Sequence, residues 1–224
     1  MRALIFGATG MVGQGVLRES LLAADVEQVT VVGRTPVEAT DRKLQSLVVP
    51  DLARLGGVEA QLQGFDACFF CLGVSSSGLD EAHYSRLTYD LTLAVAEVLA
   101  RLNPQMTFVY VSGAGTDSTE KGKSMWARVK GRTENALLRL PFKAVYLFRP
   151  GVIQPLNGAR SKTTAYRWTY WVMGPLLPVL RKLFPKYVLS TVSVGQAMLN
   201  VVRHGAASTV LETPDIQAAA LRGQ

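Results

Sequence analysis

Cysteine and histidine are scarce in this chain of 224 residues, with two of each. Two cysteines exclude a disulfide scaffold, and two histidines leave little material for a zinc site. Acidic residues are the minority charge, 17 against 24 basic, for a formal net charge of +7. Long apolar runs are missing too. The longest uncharged one, Trp168 to Leu180, has 13 residues and contains Pro175 and Pro178. A bilayer needs roughly 18–20, so no transmembrane helix is expected. Arg2-Ala3-Leu4-Ile5-Phe6 runs straight into a glycine turn, which is not the pattern of a signal peptide. The expected location is therefore cytoplasmic. The basic balance admits nucleic acid, an anionic membrane surface or a phosphorylated ligand. No run of five or more basic residues occurs and no RNA-binding aromatic signature is present, so nucleic acid is not an expected partner.

Hydrophobic residues make up 48% and charged residues 18%, which excludes disorder. The length suits one large domain with a sizeable core. Short apolar or β-branched runs alternate with helical periodicity. Residues 3–6, 28–32, 45–49, 67–71, 106–111 and 144–148 read as strands. Between them, Val12, Val16, Leu17 and Leu21 share one helix face. So do Leu87, Leu91, Val95, Val98, Leu99 and Leu102, and again Trp126, Val129, Thr133, Ala136, Leu137 and Leu140. Strands with little polar alternation are expected where helices cover both faces of a parallel sheet. The pattern predicts an α/β fold, Rossmann-like and doubly wound, with a mostly parallel sheet in the order 3-2-1-4-5-6. After Pro150 the alternation breaks down. Residues 192–203 look helical, 208–212 a last strand and 215–221 a last helix. Residues 150–224 are expected to form a short C-terminal lid region of the single domain, over the carboxyl ends of the strands.

Gly7-Ala8-Thr9-Gly10-Met11-Val12-Gly13 comes directly after the first strand and opens the first helix. Glycines permit the tight turn and let backbone N–H groups approach a pyrophosphate. The helix N-terminus adds partial positive charge. The context required of such a motif is met, with a strand before, a helix after and the next strand about 20 residues on. At the tip of the second strand a carboxylate would hold the ribose 2′-hydroxyl of NAD, whereas an arginine accommodates the 2′-phosphate of NADP. The chain has Val32-Gly33-Arg34-Thr35 there, with no acid, and Arg34 can pair with a phosphate through its planar fork. Arg42 and Lys43 are expected to add charge nearby. NADP is therefore favoured over NAD as the cofactor.

With Gly7-x-x-Gly10-x-x-Gly13, Gly33-Arg34, Cys71-Leu72-Gly73, Ser112, Val129-Lys130-Gly131 with Glu134, and Phe148-Arg149-Pro150-Gly151-Val152 in order, the chain resembles the atypical short-chain dehydrogenase/reductase superfamily. Within it, the chain is similar to the NAD(P)-binding Rossmann proteins of the Tat-interacting oxidoreductase-like subgroup. The resemblance implies that Gly7, Thr9, Gly10, Met11 and Val12 line the pyrophosphate and that Arg34 faces the adenosine phosphate. It implies that Asp51 and Leu52 flank the adenine and that Cys71, Leu72 and Gly73 pass beneath the adenine ribose. By the same resemblance, Ser112 takes the place of the catalytic serine or threonine, Lys130 binds the nicotinamide ribose, and Gly151 and Val152 touch the nicotinamide.

One departure matters. The family's proton donor is a tyrosine four residues before the lysine, and counting back from Lys130 gives Trp126. That mechanism uses a phenol, of pKa about 10, lowered by the lysine ammonium. An indole N–H donates a hydrogen bond but is not a usable acid. Tyr166, Tyr170 and His83 are candidates to replace the phenol. Two functions are compatible with this site. One is an NADP-dependent oxidoreductase or epimerase-like enzyme acting on a small carbonyl or hydroxyl compound, with Ser112 polarising the oxygen and Lys130 orienting the cofactor. The other is a non-catalytic NADP(H)-binding sensor or regulatory protein.

Other features are weaker. Cys68 and Cys71 form a C-x-x-C, but residues three apart on a strand lie roughly 10 Å apart on opposite faces, too far for a disulfide. Residues 164–187 mix aromatics with Arg167, Arg181, Lys182 and Lys186. They suit the roof of a substrate pocket or a homodimer interface, with peripheral membrane contact as the other reading. Asp117 and Glu120 fall in the loop after the fifth strand and make no acid pair.

Overall fold

The structure, a computed structural model, describes residues 1–37, 40–159 and 188–222. The strands and helices, in chain order, are β1 (Arg2–Phe6), α1 (Met11–Leu22), β2 (Gln28–Gly33), β3 (Leu44–Val48), β4 (Ala67–Phe70), α2 (Glu81–Ser85), α3 (Leu91–Leu102), β5 (Thr107–Val111), α4 (Met125–Leu137), β6 (Ala144–Arg149), β7 (Val152–Gln154), β8 (Val188–Ser190), α5 (Thr191–His204), β9 (Val210–Glu212) and α6 (Thr213–Ala220). The central sheet is parallel, in the order β3-β2-β1-β4-β5-β6-β9. The expected six-strand order is thus present, extended by a seventh strand.

Successive strand residues face opposite sides, and each side has its own apolar layer. Ala3, Ile5, Val31, Phe69, Val109 and Phe148 pack beneath α1, α5 and α6. Leu4, Phe6, Phe70, Phe108 and Tyr110 pack beneath α3 and α4. The rings of Phe6, Phe70 and Phe108 stack in sequence across that second face, with centroids 5.5 and 5.8 Å apart. Both faces being covered explains why the inner strands read as continuous apolar runs. β3 is the exception. It lies at the sheet edge, and Gln45, Ser46 and Val48 are exposed.

Only part of the region after Pro150 is available to a lid. α5 packs on α1, β9 extends the sheet beside β6, and α6 packs on α5. Residues 164–187, the aromatic and basic stretch on which the pocket-roof, membrane and homodimer readings rest, lie outside the described residues.

A second difference concerns the stripe from Leu87 to Leu102. Residues 86–90 form a turn of π-helix between α2 and α3. The wider turn rotates α3 relative to α2, so Leu87 leaves the buried face and is 48% exposed while Val95 and Leu99 are fully buried.

The crossing of α1 and α5 depends on two glycines. A Cβ on Gly15 would lie 2.4 Å from the carbonyl oxygen of Thr191, and one on Gly195 would lie 3.0 Å from the carbonyl oxygen of Gly15. Gly15→Ala gains about 1 kcal/mol in helix propensity but forces backbone apart, which costs about 1–3 kcal/mol or more. A lowered midpoint of urea unfolding is expected. A midpoint equal to or above that of the parent would refute the close approach.

Candidate functional site

The turn after β1 is held by its own backbone. Gly7 has φ of +82°, the left-handed region that glycine adopts without strain. A Cβ there would lie 2.8 Å from the Cys71 carbonyl and the Leu72 nitrogen, and one on Gly13 would lie 2.1 Å from the Gly7 carbonyl oxygen. The Gly10 N–H donates to the Gly7 carbonyl at 2.9 Å, and the Gln14 side-chain amide donates to the Thr9 carbonyl at 2.9 Å. Gly10 caps α1 with extended backbone and no side-chain hydrogen bond. The first-turn N–H groups of Met11, Val12 and Gly13 therefore have no intrahelical acceptor, and the helix dipole adds to the attraction for an anion. A cradle that no side chain could occupy, rimmed with unpaired amides, fits a pyrophosphate. A groove of about 540 Å³ adjoins Ala8 and Thr9, but its other walls are Gln14, Leu17, Arg18, Leu21 and Val37 on the outer side of α1, away from Ser112 and Lys130.

Arg34 comes just after the end of β2, is exposed, and has no ion-pair partner among the described residues. Lys43 does not join it, contrary to expectation. β3 runs parallel to β2, so the residue before Leu44 lies at the opposite, amino-terminal end of the strands. There the Lys43 ammonium donates to the carbonyls of Leu21 at 3.0 Å and Ala23 at 2.7 Å, at the C-terminal end of α1. Arg42 lies next to it in the chain. Asp51 is exposed and organises its own turn, accepting from the Ala53 N–H at 3.0 Å and facing Arg54 at 3.5 Å. Leu52 turns its side chain into the core against α3, which leaves only its backbone to meet an adenine.

Cys71 continues β4, its N–H donating to the Phe6 carbonyl at 2.9 Å. Cys71 and Leu72 pass directly behind Gly7, and Gly73 has open space at its Cα. Cys68 points into the α3–α4 layer and Cys71 toward the α1 side. Both thiols are free, and burial pushes that of Cys71 up to about 12, as expected for a packing role rather than a redox one.

The other half of the site lies past β5. Lys130 is 8% exposed, and its ammonium donates to the Val111 carbonyl at 3.3 Å and sits 5.4 Å from the centre of the Tyr110 ring. Burial pulls its pKa down to about 8, with Glu134 opposing the shift. Ser112 is adjacent, and its hydroxyl has two acceptors in range, Glu134 Oε1 at 2.5 Å and the Phe148 carbonyl at 3.1 Å. Trp126 lies one turn before Lys130, its ring 3.5 Å from where a Gly115 Cβ would be. Gly151 donates its N–H to the Thr213 hydroxyl at 2.9 Å, and Val152 is 50% exposed. Of the candidates to replace the phenol, His83 is exposed and held by the Asp80 carboxylate at 2.8 Å. Tyr166 and Tyr170 lie outside the described residues. Asp117 binds the Gly122 N–H and the Thr119 hydroxyl, while Glu120 accepts from Asn135, so the two form no acid pair.

Glu134 and Arg149, which carried the family resemblance but no assigned role, form the centre of this half. Glu134 is 1% exposed and pairs with Arg149 in two places, Nη2 to Oε2 and Nε to Oε1 at 3.1 Å. Arg149 also reaches Glu212 at 3.3 Å and the Ser118 hydroxyl. The pair ties α4, the ends of β5 and β6, and β9 together. The signal in the sequence was an arginine closing the apolar run of β6 and a glutamate on the apolar face of α4.

Residues 7–138 match the protein family described as NAD(P)H-binding. Among curated proteins, the rat protein HTATIP2 is 31% identical over 200 residues, covering 88% of this chain and 78% of its own length. The mitochondrial protein FMP52 of Saccharomyces cerevisiae is 30% identical over 168 residues, covering 73% and 69%. Among solved structures, an oxidoreductase of the short-chain dehydrogenase/reductase family from Burkholderia thailandensis superposes with a TM-score of 0.66 at 17% identity, covering 97% of this chain and 92% of its own. The Bordetella bronchiseptica enzyme WbmF, solved with NAD+, gives 0.68 at 17% identity, covering 98% and 76%.

The buried charges of this half can be tested by substitution. Arg149→Met leaves the Glu134 carboxylate buried without its cation and should cost about 3–5 kcal/mol in denaturant unfolding, whereas Glu134→Leu combined with Arg149→Met should recover much of that loss. Equal losses in the single and double variants would show no coupling. Lys130 supplies a second test. In the unfolded chain its amine keeps the ordinary value near 10.5, and in the fold it releases its proton near 8. Between those values the unfolded state binds more protons, so the penalty of a buried charge is relieved as pH rises. The stability difference between Lys130→Met and the parent should shift in the parent's favour from about pH 8 to about 10.5, by about 3 kcal/mol. A difference independent of pH would contradict the burial of the ammonium.

Proposed function

The chain belongs to the NAD(P)H-binding family, with a Rossmann fold of the oxidoreductase and epimerase-like kind, and from that membership we propose that it is an NADP(H)-dependent oxidoreductase or epimerase-like enzyme acting on a small carbonyl or hydroxyl compound. The observation that carries the choice of cofactor is Arg34. It stands exposed at the tip of β2, where a carboxylate selecting the ribose 2′-hydroxyl would otherwise stand, and no described residue pairs with it. A cytoplasmic location is part of the same reading, although the curated FMP52 relatives are named as mitochondrial.

When bound, the dinucleotide supplies hydride chemistry at its nicotinamide ring. The chain's own groups do the rest. The amides of the glycine turn hold the pyrophosphate, Arg34 pairs with the 2′-phosphate, and Lys130 reaches the nicotinamide ribose. Exposed Val152 offers apolar contact to the nicotinamide. Ser112 polarises a substrate oxygen only after turning its proton away from Glu134. That requirement, together with the indole of Trp126, favours a second reading, a sensor that holds NADP(H) without turning it over. Screening carbonyl compounds for NADPH oxidation separates the two. Turnover supports the enzyme, and silence alongside tight NADPH binding supports the sensor.

Calorimetry with the two reduced nucleotides tests the role of Arg34. Loss of a charge-assisted contact worth about 1.5–3 kcal/mol corresponds to roughly 10–100-fold in affinity. Arg34→Ala should weaken NADPH binding by that factor and change NADH binding by less than about threefold. Equal loss for both nucleotides, or a parent protein that prefers NADH, would overturn the choice of NADP.

A further inference from the structure

We propose that the side-chain amine of Lys130 is itself the proton donor and acceptor of this site, in the place of the absent tyrosine. The inference rests on the catalytic reading above and on four observations about the groups past β5. Trp126 occupies the position one turn before Lys130, where its ring packs on Gly115, and its indole N–H is not acidic enough to transfer a proton. The Ser112 hydroxyl directs its proton to Glu134 at 2.5 Å or the Phe148 carbonyl at 3.1 Å. His83 is held by Asp80 in the turn that opens α2. The Lys130 amine, by contrast, lies next to Ser112 at the carboxyl end of β5, and among the described residues its one hydrogen bond goes to the Val111 carbonyl at 3.3 Å, which uses one of its three protons.

The charged groups around Lys130 suit the role. No carboxylate lies within ion-pair distance of its amine among the described residues. Glu134, one turn on, directs both carboxylate oxygens to Arg149 from β6, which also pairs with Glu212, and its charge opposes loss of the Lys130 proton without preventing it. From β5, Tyr110 presents its ring face, and burial drives its hydroxyl up, out of the range of useful acidity. In the loop before α4, the Asp117 carboxylate is turned to Thr119 and Gly122. From the π turn and α2, Tyr89 stacks against Arg132 and Glu81 pairs with Arg128, so neither faces Lys130. Burial of the ammonium outweighs the opposing pull of Glu134, which brings its proton within reach of transfer at about pH 8.

In the direction of reduction, the Lys130 ammonium gives a proton to the carbonyl oxygen, while the hydride that the carbonyl carbon receives would be supplied by the reduced nicotinamide dinucleotide. The products are the alcohol, the oxidised dinucleotide and a neutral amine, which regains its proton from water. Oxidation runs the same steps in reverse, with the neutral amine accepting the hydroxyl proton.

The test has one arm independent of turnover. Protein labelled with 13C at the lysine ε-carbon, saturated with NADP+, is titrated by NMR, with Lys130→Met identifying the resonance. A midpoint at least one pH unit below the other lysines is expected, and a midpoint among them overturns the proposal. The second arm measures NADPH oxidation with 4-nitrobenzaldehyde and 9,10-phenanthrenequinone. Reduction should fall about tenfold per pH unit above the Lys130 midpoint. Lys130→Arg, which keeps the charge but does not release a proton, should lose at least 100-fold in kcat measured at saturating NADPH. Trp126→Tyr introduced into Lys130→Arg should restore part of that loss. An unchanged kcat and pH profile in Lys130→Arg overturns the proposal, as does a parent silent with both probes whose Trp126→Tyr variant turns them over. Silence of both proteins overturns the catalytic reading as well. Failure of NADPH to bind the parent is a different result, because it strikes the cofactor assignment.

Discussion

The contact on which the architecture turns is backbone against backbone. Gly7 lies on the Cys71–Leu72 peptide, and Gly13 lies on the Gly7 carbonyl, at separations that leave no room for a Cβ. Three elements converge there, because β1 ends at the turn, α1 begins from it and β4 passes behind it. The same closeness that packs helix against strand places the first-turn amides of α1, which have no intrahelical acceptor, at the mouth of the turn. Packing and anion binding are therefore one requirement met by the same glycines, and a larger residue at Gly13 would disturb both together.

The second half of the site is organised differently. Past β5 the geometry depends on side chains, and on one buried pair in particular. Glu134 and Arg149 draw α4, the ends of β5 and β6, and β9 together, and they take the Ser112 proton and the Ser118 hydroxyl into the same network. A buried ion pair contributes little net stability when compared with a well-packed apolar pair. Its effect here is on arrangement. Because Arg149 holds the Glu134 carboxylate, Lys130 one turn earlier on α4 has no ion-pair partner among the described residues, and its amine faces the carboxyl end of β5.

The legible part of this fold was the part governed by periodicity and by glycine. Five of the six expected strands could be read because inner strands of a covered parallel sheet are apolar throughout, and the sixth, β3, is the half-exposed edge strand. The cradle could be read because Gly7, Gly10 and Gly13 sit between a strand and a helix. Three things were not legible. The π turn at residues 86–90 depends on an added backbone residue that no apolar spacing records, so Leu87 was placed on the wrong side of its helix. Lys43 stands near Arg34 in sequence but at the opposite end of the strands, because a parallel connection brings the chain back to the amino-terminal end before β3 begins. The charged members of α4's buried face, Lys130 and Glu134, are invisible to a pattern that counts only apolar residues; their burial depends on partners on β5 and β6 far along the chain.

The division between the two halves bears on how such a protein changes function. A cradle made of amides is indifferent to most side-chain substitutions, so nucleotide binding persists while the chemistry beside it varies. The reacting end is the reverse. There a single exchange of phenol for indole removes the usual acid without disturbing the serine, the lysine or the ion pair around it. What takes its place is decided by electrostatics, since an amine kept from water, with the nearby Glu134 carboxylate turned to Arg149, has a proton to give near pH 8. Had Glu134 been free of Arg149, its carboxylate would have held the Lys130 proton in place, and the site would keep its geometry and lose that capacity. The position of Arg149, remote from Trp126 in sequence, is thus what allows Lys130 to stand in for a tyrosine.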